Sequence, residues 1–242
     1  MQISSGEALC RQFLYGQRFF KSRFGQYTRT FWLPDSFGYS SALPQIIRLA
    51  GMDSFVTQKL SWSQFNTFPH STFMWAGQDG TQILAHFPPA DTYTAQASVA
   101  EIRKAHQNNK SLAACETSLL AYGNGDGGGG PLAFMLENLR RVRAAANKSG
   151  ELPKVTSGKS VPDFFDDVLA RTERGKTLAT WTGELYLELH RGTLTSHGII
   201  KKYNRKCEIL LREVEFASTL AAALPGGAFA YPKDDLDTLW QK

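Results

Sequence analysis

A buried strand that is ended by a proline and followed directly by an acid constrains this chain more than any other feature. Residues 30–33 read Thr-Phe-Trp-Leu, and Pro34 ends the strand because it has no N–H to offer a neighbouring strand. Asp35 therefore lies just past the carboxyl end of the strand. Since α/β enzymes concentrate their chemistry at this edge, the sequence marks Asp35 as a candidate catalytic residue and Phe37 as an aromatic wall facing the substrate.

Helix and strand patterns alternate from this point along the chain. The alternation predicts parallel strands with helices packed outside them, so the expected fold class is α/β. Residues 77–80, Gly-Gln-Asp-Gly, predict instead a hairpin turn between two antiparallel strands. The predicted strands are 30–33, 54–57, 73–76, 83–87, 119–122, 154–156 and a strand-like stretch at 181–189. The predicted helices are 6–24, 42–50, 98–109, 131–146, 161–171, 195–224 and one that begins near residue 232.

Composition and charge argue against several classes of protein. The 242 residues are 42% hydrophobic and 20% charged, as in ordinary globular domains. No run approaches the ~20 apolar residues of a membrane-spanning helix, and the N-terminus shows no signal-peptide pattern, so no membrane partner is expected. The net charge is +5, and the basic cluster at 201–206 is interpreted as a solvent-exposed helix face. No nucleic-acid partner is therefore expected.

The cysteines and histidines show no metal-binding or disulfide spacing. Cys10, Cys115 and Cys207 are widely separated, and no Cys-x-x-Cys pair occurs, which fits a reducing compartment. His190 and His197 lie seven residues apart, but a glycine interrupts the region between them. A paired ligand role for these two histidines is therefore weakly supported.

A glycine-rich loop at residues 123–131 follows a predicted strand. Its backbone N–H groups could hold a phosphate, but Pro131-Leu132 stands where a nucleotide-binding loop has Lys-Ser or Lys-Thr. Nucleotide binding is therefore the weaker alternative. A loop this rich in glycine lets a bulky ligand approach the backbone, and it leaves the carboxyl group of Asp126 projecting.

Asp35 and Asp126 are thus expected at the same edge of the sheet, each just past a strand. Two carboxyl groups facing each other across one bond are the apparatus of glycoside cleavage. A separation of ~5–5.5 Å would indicate retention of configuration, and ~6.5–9.5 Å would indicate inversion. The residues alone leave both outcomes open.

Six stretches together form a more specific pattern: Phe31 to Gln45, Thr57 to Trp62, Phe68-Pro69-His70, His86 to Tyr93, Gly125 to Pro131, and Trp181 to Thr193. They resemble glycoside hydrolase family 38, in particular its branch of cytosolic and vacuolar α-mannosidases. The resemblance implies a distorted (β/α) barrel followed by an all-α, three-helix middle domain. It also implies a retaining, exo-acting hydrolase of terminal α-D-mannosyl residues that uses one zinc ion.

The resemblance further implies roles for individual residues. Asp35, in the motif Leu-Pro-Asp-Ser-Phe-Gly-Tyr-Ser, would be both nucleophile and zinc ligand, and Asp126 would be the general acid/base. Lys59, Trp62 and Asp91 would bind the substrate. The implied cofactor is Zn2+.

The chain departs from the family at its expected zinc ligands. The family's His-x-Asp pair has no match, and the chain ends before the place of its Phe-His-Asp segment, so Asp35 is the one expected ligand present. We therefore expect an internal fragment that binds zinc poorly and is nearly inactive alone. Residues 1–175 would be part of the N-terminal catalytic domain, and residues 176–242 would begin the helical middle domain.

The resemblance also implies a substrate and a location. We expect a mannose-containing oligosaccharide as substrate, in free oligosaccharide and glycan catabolism. The location would be cytoplasmic, or vacuolar without a classical signal peptide, and a homo-oligomeric state of the full-length enzyme stays open. The alternative is a non-catalytic carbohydrate-binding remnant that keeps the aromatic loops without the chemistry.

Overall fold

The computed structural model describes residues 3–226 and 229–241. Its contacts form two compact units, Thr28–Leu189 and Met1–Tyr27 together with His190–Lys242. The strands are β1 (Thr30–Trp32), β2 (Ser54–Val56), β3 (Thr72–Ala76), β4 (Gln82–His86) and β5 (Thr180–Thr182). The helices are α1 (Gly6–Phe24), α2 (Leu43–Leu49), α3 (Val99–Gln107), α4 (Ala133–Ser149), α5 (Val161–Arg171), α6 (Gly198–Ala223) and α7 (Lys233–Gln241), with 3₁₀ helices at Lys59–Trp62 and Arg191–Leu194.

The five described strands form one mixed sheet in the order β1-β2-β4-β3-β5. Strands β1, β2 and β4 run parallel to one another, as the helix–strand alternation predicts. Strands β3 and β4 form the predicted antiparallel hairpin, and β5 pairs with β3 in parallel. The α/β class expected from the sequence is therefore confirmed.

Apolar side chains cover both faces of the sheet. On one face Phe55 of β2 packs against Tyr39 and Trp75, each at a ring-centroid distance of 5.2 Å. Val56 and Leu84 belong instead to a buried cluster that includes residues of α5. Because successive side chains of a strand point to opposite faces, burial of all three β2 residues requires cover on both sides.

Local sequence signals define the helix ends. Ser98 begins α3 with a reciprocal capping box to Glu101, and Ser160 begins α5 in the same way with Asp163. Such caps satisfy N–H groups at the first turn that have no partner within the helix.

Two predicted strands are wrong, for a shared physical reason. At 119–122 the chain forms a single bridge between Tyr122 and Ala95, because the N–H of Leu119 donates to the His86 ring instead of to a strand. At 154–156 both backbone groups of Val155 pair with the side chain of Asn147. Side-chain partners thus replace the ladder that each apolar pattern suggested.

The strand-like pattern of 181–189 and the long helix are both shorter than predicted. The strand is limited to β5, after which Leu185 forms an isolated bridge with Tyr39. Helix α6 begins at Gly198 rather than at residue 195, because His197 has a left-handed backbone with φ 50°. Strand β5 lies beyond the predicted domain boundary at residue 175 and pairs with β3 of the sheet. The position of the boundary stays a prediction.

The second unit is helical. Arg11 of α1 forms an ion pair of 2.6 Å with Glu215 of α6, and its guanidinium lies 4.3 Å from the ring centroid of Trp240 in α7. The indole of Trp240 donates to the same glutamate at 2.9 Å. Among the described residues, no helix has the length and apolar character that crossing a bilayer requires.

Candidate active site

Asp35 lies immediately past β1, where the sequence places it. The N–H of Leu33 still donates to the carbonyl of Val56 at 3.0 Å, after which Pro34 ends the pairing. The Tyr39 hydroxyl holds the backbone on both sides of Asp35. It donates to the Leu33 carbonyl at 3.1 Å and accepts from the N–H of Ser36 at 3.3 Å. Burial raises the pKa of Tyr39 to about 12, so this hydroxyl stays protonated and can donate.

Lys59 forms an ion pair with Asp35. Its Nζ lies 2.6 Å from Oδ1 of the carboxylate, and its side chain is 5% exposed against 45% for Asp35. The ammonium also lies 3.6 Å from the ring centroid of Trp62 and 5.6 Å from that of Phe37. The structure therefore brings four residues that the sequence singled out, Asp35, Phe37, Lys59 and Trp62, into one cluster.

The glycine-rich loop folds on itself. The N–H of Asn124 donates to the Gly130 carbonyl at 2.8 Å, and the N–H groups of residues 128–130 donate to carbonyls of Asn124 and Gly125. Those N–H groups are consequently used within the loop rather than presented to a phosphate, which argues against the nucleotide-binding alternative. The loop carries Asp126 at its exposed tip.

Tyr93 joins the two acids. Its hydroxyl donates to Oδ1 of Asp126 at 2.6 Å and lies 3.2 Å from Oδ2 of Asp35. Because both distances start at the Tyr93 hydroxyl oxygen, Oδ1 of Asp126 and Oδ2 of Asp35 lie no more than about 6 Å apart. The hydrogen bond to Asp126, then burial and the charge of Asp35, raise the pKa of the Tyr93 hydroxyl.

Tyr93 lies within the sequence motif 86–93, which by itself assigns it no role. The signal available was its position two residues after Asp91, in a polar loop that follows Pro88-Pro89 at the end of β4. The Tyr93 ring also leaves no room for a side chain at position 125, because a Cβ added at Gly125 would meet the ring at 2.9 Å. The glycine therefore lets the loop approach the tyrosine closely enough for the hydrogen bond to Asp126.

A cavity of about 360 Å³ opens beside the paired acids. Tyr93 and Gly125 line it together with Trp32, Pro34 and the segment 119–122. Its volume falls within the ~300–1,000 Å³ range of small-molecule sites.

Asp91 makes its contacts elsewhere. Its carboxylate accepts from Asn108 at 3.0 Å and lies 3.2 Å from the ammonium of Lys104. Its backbone has a left-handed φ of 57°, and its side chain lines a second cavity, distinct from the one beside Tyr93. The predicted role of Asp91 in substrate binding stays a prediction.

The described residues do not fit a zinc ion by themselves. Zinc sites in proteins use three or four protein ligands, and within the described ranges no three His, Cys, Asp or Glu side chains come together. The two oxygens of Asp35 face Lys59 and Tyr93. The expected Zn2+ cofactor, with Asp35 as its ligand, therefore stays a prediction.

Sequence comparison identifies the family. Residues 1–184 match the family model "Glycosyl hydrolases family 38 N-terminal domain", and residues 188–242 match "Alpha mannosidase middle domain". The chain therefore belongs to glycoside hydrolase family 38, which confirms the resemblance drawn from its motifs.

Curated relatives of this chain are named alpha-mannosidases. The chain is 48% identical to an alpha-mannosidase of Saccharomyces cerevisiae over 240 residues, which are 99% of this chain and 22% of the relative. It is also 48% identical to alpha-mannosidase G of Dictyostelium discoideum and to alpha-mannosidase 2C1 of Homo sapiens, covering 99% of this chain and 21% and 22% of those proteins. The chain thus spans about a fifth of the length of the curated relatives it matches.

A solved structure shows the same fold. The crystal structure of an alpha-mannosidase from Enterococcus faecalis V583 superimposes with a TM-score of 0.69 at 19% identity, covering 99% of this chain and 27% of that one. Together with the middle-domain match, it supports the expected family fold with a helical start to the middle domain.

Proposed function

We propose that this chain forms the acid pair of a retaining, exo-acting α-mannosidase that removes terminal α-D-mannosyl residues from oligomannosides. The observation that carries the proposal is the single Tyr93 hydroxyl in contact with both Asp35 and Asp126. The resulting upper limit of about 6 Å between Oδ2 of Asp35 and Oδ1 of Asp126 is compatible with the ~5–5.5 Å separation of the carboxyl groups in retaining enzymes. The names of the relatives support the substrate class.

Asp35 is the nucleophile in this proposal. The buried Lys59 ammonium holds its Oδ1, which orients Oδ2 toward the space shared with Tyr93. Attack of the carboxylate on the anomeric carbon forms a glycosyl–enzyme ester and breaks the bond to the leaving oxygen.

Asp126 is the acid and then the base. It donates its proton to the leaving oxygen in the first step, and in the second step it takes a proton from the water that attacks the ester. Tyr93 positions Asp126 through the 2.6 Å hydrogen bond, and Gly125 lets the loop approach the Tyr93 ring closely enough to make it.

Phe37 and Trp62 supply the aromatic walls of the substrate site. Both rings lie against the Lys59 ammonium, which is beside Asp35, so a sugar held at Asp35 would contact them. Their exposed fractions, 38% and 49%, leave ring surface for the apolar face of a sugar. Catabolism of free oligosaccharides in the cytoplasm is the biological role that we infer for such a site.

The experiment compares the Asp35→Ala and Asp126→Ala variants of the protein, with Asp79→Asn as control. Asp79 is an exposed hairpin acid that accepts hydrogen bonds from the backbone and side chain of Thr81. On aryl α-mannosides with activated leaving groups, Asp126→Ala should retain the first step, and azide should restore its turnover. Asp35→Ala should lose turnover, with no rescue that retains the configuration.

Equal loss in both variants with no azide effect would contradict the assigned roles. If the unmodified protein binds the sugar but does not turn it over, the non-catalytic carbohydrate-binding alternative would be favoured. The Asp79→Asn control should match the unmodified protein in every assay.

A further inference from the structure

A segment that follows β5, residues 183–188, contributes no side chain to the proposed mechanism, yet it lies against two loops of the candidate site. We call this segment the strap. The indole of Trp75 donates to the Gly183 carbonyl at 2.8 Å, and Leu185 and Leu187 are 0% and 2% exposed. The fold therefore holds the strap in place independently of the two loops.

The first loop that the strap holds is the one after β1, which carries Asp35. Tyr39 and Leu185 exchange two backbone hydrogen bonds, of 2.8 and 2.9 Å. The Tyr39 hydroxyl in turn holds the backbone on both sides of Asp35. The strap therefore positions the loop of the proposed nucleophile through main-chain contacts, which a substitution of a strap side chain leaves in place.

The second loop directly follows Trp62, and residue 188 holds it at both ends. Oε2 of Glu188 accepts from the N–H of Asn66 at 2.6 Å and from the N–H of Phe65 at 3.3 Å. Its Oε1 accepts from the side-chain amide of Asn66 at 2.5 Å. At the other end of the loop, the N–H of Glu188 donates to the Ser63 hydroxyl at 3.3 Å. Because an ionised carboxylate is a stronger acceptor than a neutral group, Glu188 is the main anchor of this loop.

The anchored loop begins at the aromatic wall of the candidate site. The N–H of Ser63 donates to the Leu60 carbonyl at 3.1 Å and so closes the 3₁₀ helix that carries Lys59 and Trp62. The ammonium of Lys59 lies 3.6 Å from the centroid of the Trp62 ring. Lys59 and Leu60 are buried, whereas Trp62 is 49% exposed. Burial therefore keeps Lys59 on Asp35, while the exposed ring depends on the loop for its position.

We infer that Glu188 is a positioning residue for the substrate wall. Its carboxylate fixes the loop after Trp62 and thereby sets the position at which the Trp62 ring meets the terminal sugar. The inference rests on the proposed function, which places a sugar against that ring. Glu188 is also the first residue of the middle-domain match, so this contact links the start of that sequence to the wall of the candidate active site.

Steady-state kinetics on an aryl α-mannoside distinguish a positioning role from a merely structural one. Glu188→Ala removes all three hydrogen bonds that the carboxylate accepts. Glu184→Ala is the matched control, because it truncates the same type of side chain at an exposed position of the strap. Glu188→Ala should raise KM about tenfold and leave kcat within about threefold, since the wall is displaced while Lys59 still orients Asp35. Glu184→Ala should change neither value.

A merely structural role gives a different result. A smaller folded fraction would lower the apparent kcat and leave KM unchanged, and this outcome would overturn the inference. Unchanged kinetics in Glu188→Ala, or an equal rise of KM in Glu184→Ala, would overturn it as well.

A rescue experiment tests the contact itself. Asn66→Asp sets two carboxylates against each other where an amide now donates at 2.5 Å, so KM should rise at least about tenfold. Adding Glu188→Gln should return KM to within about threefold of the unmodified protein, because the glutamine amide can donate to the new carboxylate while its oxygen still accepts from the backbone. A double variant as impaired as Asn66→Asp alone would overturn the inference and leave the proposed function in place. Absence of hydrolysis by the unmodified protein would overturn the proposed function and, with it, the inference.

Discussion

The buried histidine of β4 should make the stability of this protein depend on pH in a way that one variant can isolate. His86 is 0% exposed and packs against Phe164 at a ring-centroid distance of 4.8 Å. The N–H of Leu119 donates to its Nε2 at 3.2 Å, so Nδ1 carries the proton and donates to the Thr72 hydroxyl at 2.9 Å. The ring is therefore held in its neutral form.

Burial lowers the pKa of His86 from 6.5 to about 3 in the folded protein. Above pH 6.5 the ring is neutral in both states, and the full stability is present. As the pH falls below 6.5, the unfolded state takes up a proton that the folded state does not, so stability is lost until the pH reaches the folded pKa. The loss amounts to about 2 kcal/mol by pH 5 and roughly 5 kcal/mol in total.

The assay is urea unfolding at pH 7.5 and at pH 5, for the unmodified protein and for His86→Gln. Glutamine can still accept from Leu119 but does not titrate. Carboxylates titrate in both proteins, so the difference between the two pH dependences isolates His86. The unmodified protein should lose about 2 kcal/mol more than the variant over this interval. Equal losses in the two proteins would refute the reasoning that His86 is neutral and unprotonatable in the fold.

Three substitutions test the active-site geometry through kcat/KM on an aryl α-mannoside. Tyr93→Phe should lower it about 10- to 100-fold with little change in unfolding temperature, because only the hydroxyl that positions both acids is lost; unchanged kinetics would remove Tyr93 from the mechanism. Lys59→Met should lower kcat/KM by a factor of at least about 100, mainly through kcat, since Asp35 loses the ion pair that orients it. A change in KM alone would indicate that Lys59 binds the substrate instead. Gly125→Ala should lower kcat/KM about tenfold, because the added methyl group meets the Tyr93 ring at 2.9 Å. In the Gly125→Ala, Tyr93→Ala double variant, the loss of transition-state free energy should be smaller than the sum of the losses in the two single variants.

The place of Asp35 could be predicted because its causes are local. Pro34 ends β1 whatever surrounds it, and the acid follows directly in the chain. The hairpin β3–β4 was predictable for the same reason, since residues 77–80, Gly-Gln-Asp-Gly, form its turn. Both features depend on backbone chemistry within a few residues.

The partnership of Asp126 and Tyr93 depends on contacts across the chain. The sequence placed Asp126 correctly beside Asp35, but through a strand at 119–122 that the protein does not form; that segment is tied to Ala95 and His86 instead. Tyr93 reaches partners 58 and 33 residues away, and no local pattern records such a distance. Its role emerges only when loops are placed in space.

The configuration of the first product distinguishes a nucleophilic Asp35 from direct attack by water. Proton NMR should follow hydrolysis of an aryl α-mannoside by the protein, fast enough to precede mutarotation of the free sugar. If Asp35 is the nucleophile and Asp126, joined to it through Tyr93, is the acid/base, α-mannose should appear first. First release of β-mannose would mean a single displacement by water and would contradict the proposed nucleophilic role of Asp35.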